Sequence, residues 1–324
     1  MGNMERIEIG GEYSGKRIDK AIVEILKGLD IYIPSRSFFK KFLVKGIIVN
    51  GRTVKGSYKL KEGDVVEIDT SLLEEEISEI DISGKVSPQN MDLDIVYEND
   101  QYMVVNKPKR IAVHPGVGNK DGTLSNYIRG YLESKGEYDP LVERGGIVHR
   151  LDRGVSGLIV VAKNSESQRF LKKQFQDRKV KKIYKAKTVK FKESELDSLQ
   201  ISKIRFQGDD IETGKEWLKV EGYIGRSRTN RFRMVFKKYD FNGSKPSVSH
   251  FCKIGEEEYL VKIDTGRMHQ IRATLFYLGR TINGDTLYSP GSRKFTPDAI
   301  DLESVFISFL DPSGEKKIFT TLEK

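Results

Sequence analysis

The sequence predicts an α+β protein, with a small N-terminal helix-and-sheet module joined to a larger domain built on a mixed, mainly antiparallel β-sheet. Three observations carry this. Two helical patterns and two short β-type turns fill residues 1–70; an acidic stretch containing Ser and Pro covers 71–91; and from Asp92 to the end at 324 strand-like runs alternate with amphipathic helices.

In the module, the first helical pattern puts Ala21, Ile22, Ile25 and Leu26 on one face. The second, "SRSFFKKFLVKG", starts at a capping Ser35, places Phe38, Phe39, Phe42 and Leu43 at core spacing and ends at Gly46. Its other face carries Arg36, Lys40, Lys41 and Lys45. "IIVNGRTV" predicts a hairpin around Asn50-Gly51, and "YKLKEGDVVEID" a second strand pair around a turn. A basic helix face can be no more than a solvated one. The stretch 71–91, "SLLEEEISEIDISGKVSPQNM", has the composition of a linker.

In the larger domain, "DIVYEND" and "YMVVNKP" predict two strands around an Asn-Asp turn. "GTLSNYIRGYLESKG" predicts a helix capped by Thr123, with Leu124, Tyr127, Ile128, Tyr131 and Leu132 on one face. "GLIVVAKN" predicts a buried strand, and "NSESQRFLKKQFQDRK" a helix in which Ser165 and Gln168 have capping-box spacing. "VKKIYKAKTV" is a strand; β-type alternation returns in "RFRMVFKKYDF" and "EEYLVKID", with a turn at Asn242-Gly243. A last helix is expected over 266–279, with Met268, Ile271 and Leu275 as its apolar stripe.

Composition narrows the partners. A formal charge of +9, from 56 Lys+Arg against 47 Asp+Glu, favours a polyanion, nucleic acid before membrane surface, although a merely soluble basic protein would share it. The single cysteine, Cys252, excludes an internal disulfide and a Cys-based zinc cluster. The four histidines, His114, His149, His250 and His269, show no H-x-x-x-H spacing, so no metal is expected. With no apolar leader and no apolar run of membrane-spanning length, a cytoplasmic protein is expected.

The segment with most chemistry is "GGIVHRLDRGVSGLIVVAKN", where Asp152 stands between Arg150 and Arg153 at the mouth of an aliphatic strand. A turn acid capping backbone amides, or half of a surface ion pair, would account for it. Far along the chain, Arg272 sits at the edge of the buried face of the last helix, where an unpaired charge would cost roughly 3 to 5 kcal/mol. Pairing with Asp152 would hold that carboxylate ionised and aim it, as a nucleophile or a base requires. Tyr184 suits a strand as it stands, and its ring would equally suit a site that takes up an unstacked base.

These segments together resemble a known family. "HRLDRGVSGLIVVAK" resembles the H-R-L-D-x-x-[TS]-S-G signature of the RluA/RluD family of pseudouridine synthases. "VVNKPKRIAVHPGVGNKDGTLSNYI", "KKIYKA" and "TGRMHQIRATLFYLGRTINGDTLY" look like its N-K-P…H-P-G…G-T-L, tyrosine and G-R-x-H-Q-I-R…G-D-x-x-Y motifs, in the family's order. Helix, basic helix, "VNG" hairpin and "EGD" turn likewise resemble the S4 RNA-binding domain, and the whole looks most like the D-type synthases of large-subunit (23S) ribosomal RNA.

The resemblance implies a pseudouridine synthase fold over 92–324 and an isomerase acting on RNA, without metal or organic cofactor because isomerisation is redox-neutral and hydrolyses nothing. It implies that Asp152 is the nucleophile, attacking C1′ of the ribose or C6 of the uracil. Tyr184 would line the base and be a candidate for removing the C5 proton, with help, since a phenol titrates near pH 10. Arg272 would pair with Asp152, while His149 and Arg150 would face the RNA, Arg150 filling the stack left by the flipped uridine. Arg17, Arg36, Lys40, Lys41 and Lys45 would face RNA phosphates. The sequence departs from the pattern at Val155, where Thr or Ser is usual, at Arg110 in place of Gly, at Met268 in place of Thr or Ser, and in "AIDLESVFISFLDP", which lacks the usual histidine. A non-catalytic RNA-binding or ribosome-assembly protein that keeps the fold is the alternative, and a base-releasing glycosylase a further one.

Overall fold

The structure, a computed structural model, describes residues 4–28, 42–72, 86–116, 121–139, 141–203, 205–207, 210–212, 217–230, 232–290 and 299–322. The chain divides into two compact units, Met1–Lys85 and Val86–Lys324.

In the first unit, strand β1 (Met4–Glu8), helix α1 (Ile18–Gly28) and strands β2 (Ile47–Val49) and β3 (Val65–Asp69) enclose one core, with strand order β1-β3-β2 and both pairs antiparallel. Ala21, Ile22, Ile25 and Leu26 of α1 are buried in it with Phe42, Leu43, Ile47, Val66 and Ile68. The Asn50-Gly51 turn forms, with both residues at positive φ, but "RTV" beyond it adds a single bridge, Val49 to Arg52, and β2 pairs with β3 instead. "YKL" likewise gives a lone bridge, Arg17 to Lys59, rather than a strand. β1, whose alternation is short and mostly exposed, went unanticipated.

The second unit holds strands β4 (Ile95–Glu98) and β5 (Tyr102–Lys107), helix α2 (Leu124–Ser134), strand β6 (Ser156–Ala162), helix α3 (Ser165–Gln176) and strand β7 (Lys181–Lys190). A two-stranded ribbon follows, β8 (Arg205–Gln207) with β9 (Asp210–Glu212), then β10 (Leu218–Arg226), β11 (Met234–Lys237), β12 (Lys245–Lys253), β13 (Glu258–Ile263), helix α4 (Gln270–Tyr277), β14 (Arg280–Ile282), β15 (Leu302–Leu310) and β16 (Lys316–Thr320). The main sheet runs β11-β10-β12-β13-β7-β15-β6-β5-β4, with β14 added to β7 and β16 to β15. Its pairs are antiparallel except β15 with β6, so it is mixed and mainly antiparallel.

Both faces of the central strands are covered, which is why β5 and β6 read as unbroken apolar runs rather than alternating ones. Met103, Val105, Ile159 and Val161 meet Leu124, Ile128 and Leu132 of α2 and Ile271 and Leu275 of α4 in one core. Tyr102, Val104, Leu158 and Val160 meet Leu171 of α3, Ile307 and Phe309 in the other. α2 starts at Thr123, whose backbone N–H donates to Asn126 Oδ1 at 3.0 Å. α3 is capped one residue earlier than expected, by Asn164, whose side chain accepts from the Ser167 N–H. Residues 86–89 of the expected linker are held to α2 and the turn before it: Arg129 donates to the Val86 carbonyl, Asn126 to the Ser87 carbonyl, and Gln89 Oε1 accepts from the Gly122 N–H. Among the described residues no helix is long and apolar enough to cross a membrane.

Candidate active site

Asp152 lies in the turn that leads into β6, and the sequence around it explains why the turn holds. The Val155 N–H donates to the Asp152 carbonyl at 3.0 Å, closing the turn through the backbone. Val155 itself is buried in the main core, so the missing hydroxyl is replaced by packing. At Gly157, with φ 113°, a Cβ would stand 2.4 Å from the Ser304 carbonyl oxygen; only glycine lets β15 run parallel beside β6 here. From the other side, buried Lys107 of the N-K-P segment donates to the carbonyls of Pro108 (2.8 Å), Ile111 (2.9 Å) and Arg153 (3.5 Å), tying that segment to the residue after Asp152. Burial pushes the Lys107 ammonium down to about 8, against an upward pull from Asp152.

The last helix begins four residues later than expected. His269 adopts a left-handed backbone (φ 53°) and α4 runs only from Gln270, so Met268 lies outside the helix, 47% exposed, and does not join an apolar stripe. Arg272 is consequently at the heart of the buried face, 4% exposed, rather than at its edge. Its Nη1 donates to Asp152 Oδ2 at 3.0 Å; Nε and Nη2 donate to the two oxygens of Asp285 at 2.7 and 2.9 Å. Burial alone would lower the Arg272 pKa, but the bonds to Asp285 and the charges of Asp285 and Asp152 outweigh it and raise it. The guanidinium also lies over the Tyr288 ring at 5.0 Å.

Asp285, fully buried, is held in turn by the backbone N–H groups of Leu287 and Tyr288. Asp285, Tyr288 and His269 complete the constellation without having been singled out beforehand. The signal was present in "GRMHQIR" and "NGDTLY". His269 Nε2 stands 3.7 Å from Asp152 Oδ2 and its Nδ1 is 3.1 Å from the Tyr288 hydroxyl. Burial pushes this imidazole down to about 4, so it is neutral at pH 7, and the carboxylate favours the tautomer carrying its proton on Nε2.

These groups open on a cavity of about 510 Å³ lined by Arg150, Asp152, Tyr184, His269 and Arg272 among others. The volume falls in the range of small-molecule and nucleotide sites. Asp152 is half-buried, and its Oδ1 accepts no hydrogen bond among the described residues. Tyr184, on β7 opposite Val261 and Ser304, is buried; burial first, then the charge of Asp152, pushes its phenol well above the ordinary value.

The remaining expected residues are placed as follows. Arg150 is exposed at the cavity wall. His149 lines the cavity too, but its Nε2 accepts from the Val160 N–H at 2.9 Å and its ring stacks on Phe175 at 4.5 Å. Burial, with Lys182 nearby, pushes it down to about 3, so it is a neutral, fixed wall rather than a cation awaiting a phosphate. Arg110 takes φ 72°, the left-handed region that glycine occupies freely, and its carbonyl accepts from Arg153 Nε at 3.0 Å. In the first unit, Arg17 is exposed with both ends of its fork on Asp19, at 3.0 and 2.6 Å, and Lys45 is exposed. Arg36, Lys40 and Lys41 lie outside the described residues.

The chain carrying this buried arginine, its two carboxylates and the cavity beside Tyr184 is similar to known proteins over most of its length. A family model described as RNA pseudouridylate synthase matches residues 101–276. Ribosomal large subunit pseudouridine synthase D of Vibrio parahaemolyticus is 32% identical over 302 residues, covering 91% of this chain and 79% of that protein. The protein of the same name from Escherichia coli is 31% identical over 317 residues, 95% of this chain and 82% of that one. Among solved structures, Human RNA Pseudouridylate Synthase Domain Containing 4 shares the fold, with a TM-score of 0.51 at 19% identity over 71% of this chain and 88% of that chain. With a family model over more than half of its length and relatives above 30% identity over most of it, this chain belongs to the RNA pseudouridylate synthase family.

Proposed function

We propose that this protein isomerises uridine to pseudouridine in large-subunit ribosomal RNA, in the cytoplasm, with Asp152 as nucleophile. The observation that carries the reading is Asp152 itself: one oxygen fixed by Arg272, the other unbonded among the described residues and facing the cavity that holds Tyr184. Asp152 attacks C1′ of the ribose or C6 of the uracil; the N1–C1′ bond breaks, the held base turns, C5 bonds to C1′ and loses its proton, and the bond to Asp152 breaks, from C1′ as C5 bonds there or from C6 as the C5 proton leaves, returning the carboxylate. No atoms are gained or lost between substrate and product.

Arg272 keeps the carboxylate ionised and aimed before attack and remains charged throughout, because Asp285 neutralises it independently of Asp152. Tyr184 lines the base. In the free enzyme its phenol is a poor base, raised by burial and by the Asp152 charge. On the C6 route Asp152 is still esterified when the C5 proton leaves, so that charge is absent and Tyr184 is the better proton acceptor; on the C1′ route the carboxylate is already restored and gives no such help. Arg150, planar and exposed at the wall, fills the stack left by the extruded uridine and offsets part of an extrusion cost of a few kcal/mol. The first unit serves as an S4-type RNA-binding module, its basic stretch from Arg36 to Lys45 on RNA phosphates.

Carbodiimide mapping of pseudouridine in ribosomal RNA from cells with and without this gene tests the function. The expected result is one or more large-subunit sites that vanish with the gene and are not restored by Asp152→Asn, whose purified form still binds the RNA. An unchanged modification map would reject the substrate, and normal turnover by the Asn variant would reject the nucleophile.

A further inference from the structure

The cavity mouth carries positive charge that the chemistry at Asp152 does not use. Arg178, Lys182 and Arg267 line it, and among the described residues none is paired with a carboxylate. The carboxylates closest in the chain are engaged elsewhere: Asp177 with Lys173 at 3.0 Å, and Asp264, itself at the cavity wall, with His250 Nε2 at 2.9 Å. Arg267 is anchored at the cavity wall by its Nε, which donates to the Pro246 carbonyl at 3.0 Å. Lys182 is half-buried and its ammonium lies over the Phe175 ring at 5.5 Å. Burial lowers the pKa of both Lys182 and Arg267, and the Arg178 charge lowers Arg267 further, so the two guanidiniums repel one another across the mouth.

Arg178 is also held where its backbone is strained. α3 ends with the Lys179 N–H on the Gln174 carbonyl and the Arg178 N–H on the Phe175 carbonyl, the paired closure that puts its central residue in the left-handed region, usually as glycine. Here that residue is Arg178, at φ 58°. Arg178, Lys182 and Arg267 thus share one cavity mouth with no carboxylate partner among the described residues, which leaves their charge uncompensated in the free protein. Such a set is satisfied when an anion enters.

We propose that Arg178, Lys182 and Arg267 form a phosphodiester site that grips one backbone phosphate of the RNA at the cavity mouth and so sets the depth to which the target nucleotide enters. The site rests on the proposed RNA substrate but makes no bond to the reacting atoms. Its three cations position the strand, and Asp152 and Arg272 are left to the chemistry. The nucleotide held there is recognised by its backbone and not by its base, so the site contributes affinity without selecting sequence.

The test is Arg178→Gly in the full-length protein, with a large-subunit ribosomal RNA transcript as probe. Glycine relieves the strain, so the thermal midpoint is expected to hold or rise, while loss of one charge-assisted phosphate contact raises KM roughly tenfold with kcat largely kept. The slope of log affinity against log salt becomes shallower by about 1. Arg178→Gly combined with Arg267→Gln is expected to lose little beyond the more severe single variant, since both act on one phosphate. An unchanged salt slope and KM in Arg178→Gly, or a lowered midpoint with normal KM, overturns the site. Wild-type protein that binds the transcript but forms no pseudouridine rejects the functional reading instead, and the salt-slope comparison still decides the phosphate site.

Discussion

Arg272 reaches Asp152 through Nη1 alone, at 3.0 Å, because its other two nitrogens are already taken by Asp285. The shared arginine makes two carboxylates interdependent although only one faces the cavity. Asp285→Asn should therefore act on Asp152 from behind. It leaves a buried guanidinium with one carboxylate, and breaking a buried pair costs roughly 3 to 5 kcal/mol. The expected outcome is a lowered urea midpoint and a kcat down by at least about tenfold, with RNA affinity near wild type, because Asp152, the proposed nucleophile, loses its aim rather than the site its grip. Equilibrium denaturation and single-turnover kinetics check both; a variant with normal kcat would show that Asp285 does not position Arg272.

Acid should destabilise the fold before its carboxylates titrate. His114, His149 and His269 are pushed down by burial to about 4, 3 and 4, below the ordinary 6.5. Between pH 6.5 and those values the unfolded chain binds protons that the folded chain refuses, so stability present above pH 6.5 is lost as pH falls through that window. The urea midpoint is expected to drop steadily from pH 6.5 to 5, and His149→Gln, which keeps an acceptor near the Val160 N–H, should flatten the drop. A midpoint constant over that range would contradict the neutral assignment of these imidazoles.

Arg110 is exposed in a strained backbone, and among the described residues its hydrogen bond is at the carbonyl, which accepts from Arg153 Nε. Arg110→Gly keeps that carbonyl and removes the left-handed penalty at φ 72°. Net of the extra freedom glycine has when unfolded, it should stabilise the protein by about 0.5 to 1 kcal/mol. Differential scanning calorimetry reads this as a rise of roughly 2 °C, with turnover unchanged. A fall in the midpoint would mean that the Arg110 side chain contributes more than its backbone costs.

What was legible in the sequence was whatever short-range periodicity or a dense motif encodes. Buried strands β5 and β6, helix α2 with its Thr123 cap, and the core face of α1 follow directly from residue spacing. The Arg272–Asp152 contact was inferable because a buried arginine demands a carboxylate, and one was on offer in a motif. Asp285 was not, since nothing local distinguishes an acid in "NGDTLY" that accepts two backbone N–H groups from one that also clamps an arginine. The start of α4 was misjudged for a similar reason: His269 in the left-handed region is fixed by tertiary contacts to Tyr288, not by its own preference. The hairpin partners "RTV" and "YKL" failed as strands because β3 takes the ladder of β2 and β1 supplies its other edge.

The first unit should contribute affinity rather than chemistry. It has its own core, and Asp152, Tyr184, Arg272 and the cavity they line belong wholly to Val86–Lys324. A fragment spanning 86–324 is thus expected to fold and to form pseudouridine at saturating RNA, with a raised KM. Of the five first-unit cations assigned to RNA, Arg17 is bonded to Asp19 on both ends of its fork, so the prediction is made for Arg36, Lys40, Lys41 and Lys45. Four phosphate contacts correspond to a salt slope shallower by about 3. Filter binding of full-length protein and fragment across a salt series measures it. Equal slopes would mean that the basic stretch from Arg36 to Lys45 does not meet the RNA backbone, and a fragment that folds yet cannot turn over at any RNA concentration would place part of the catalytic requirement in the first unit.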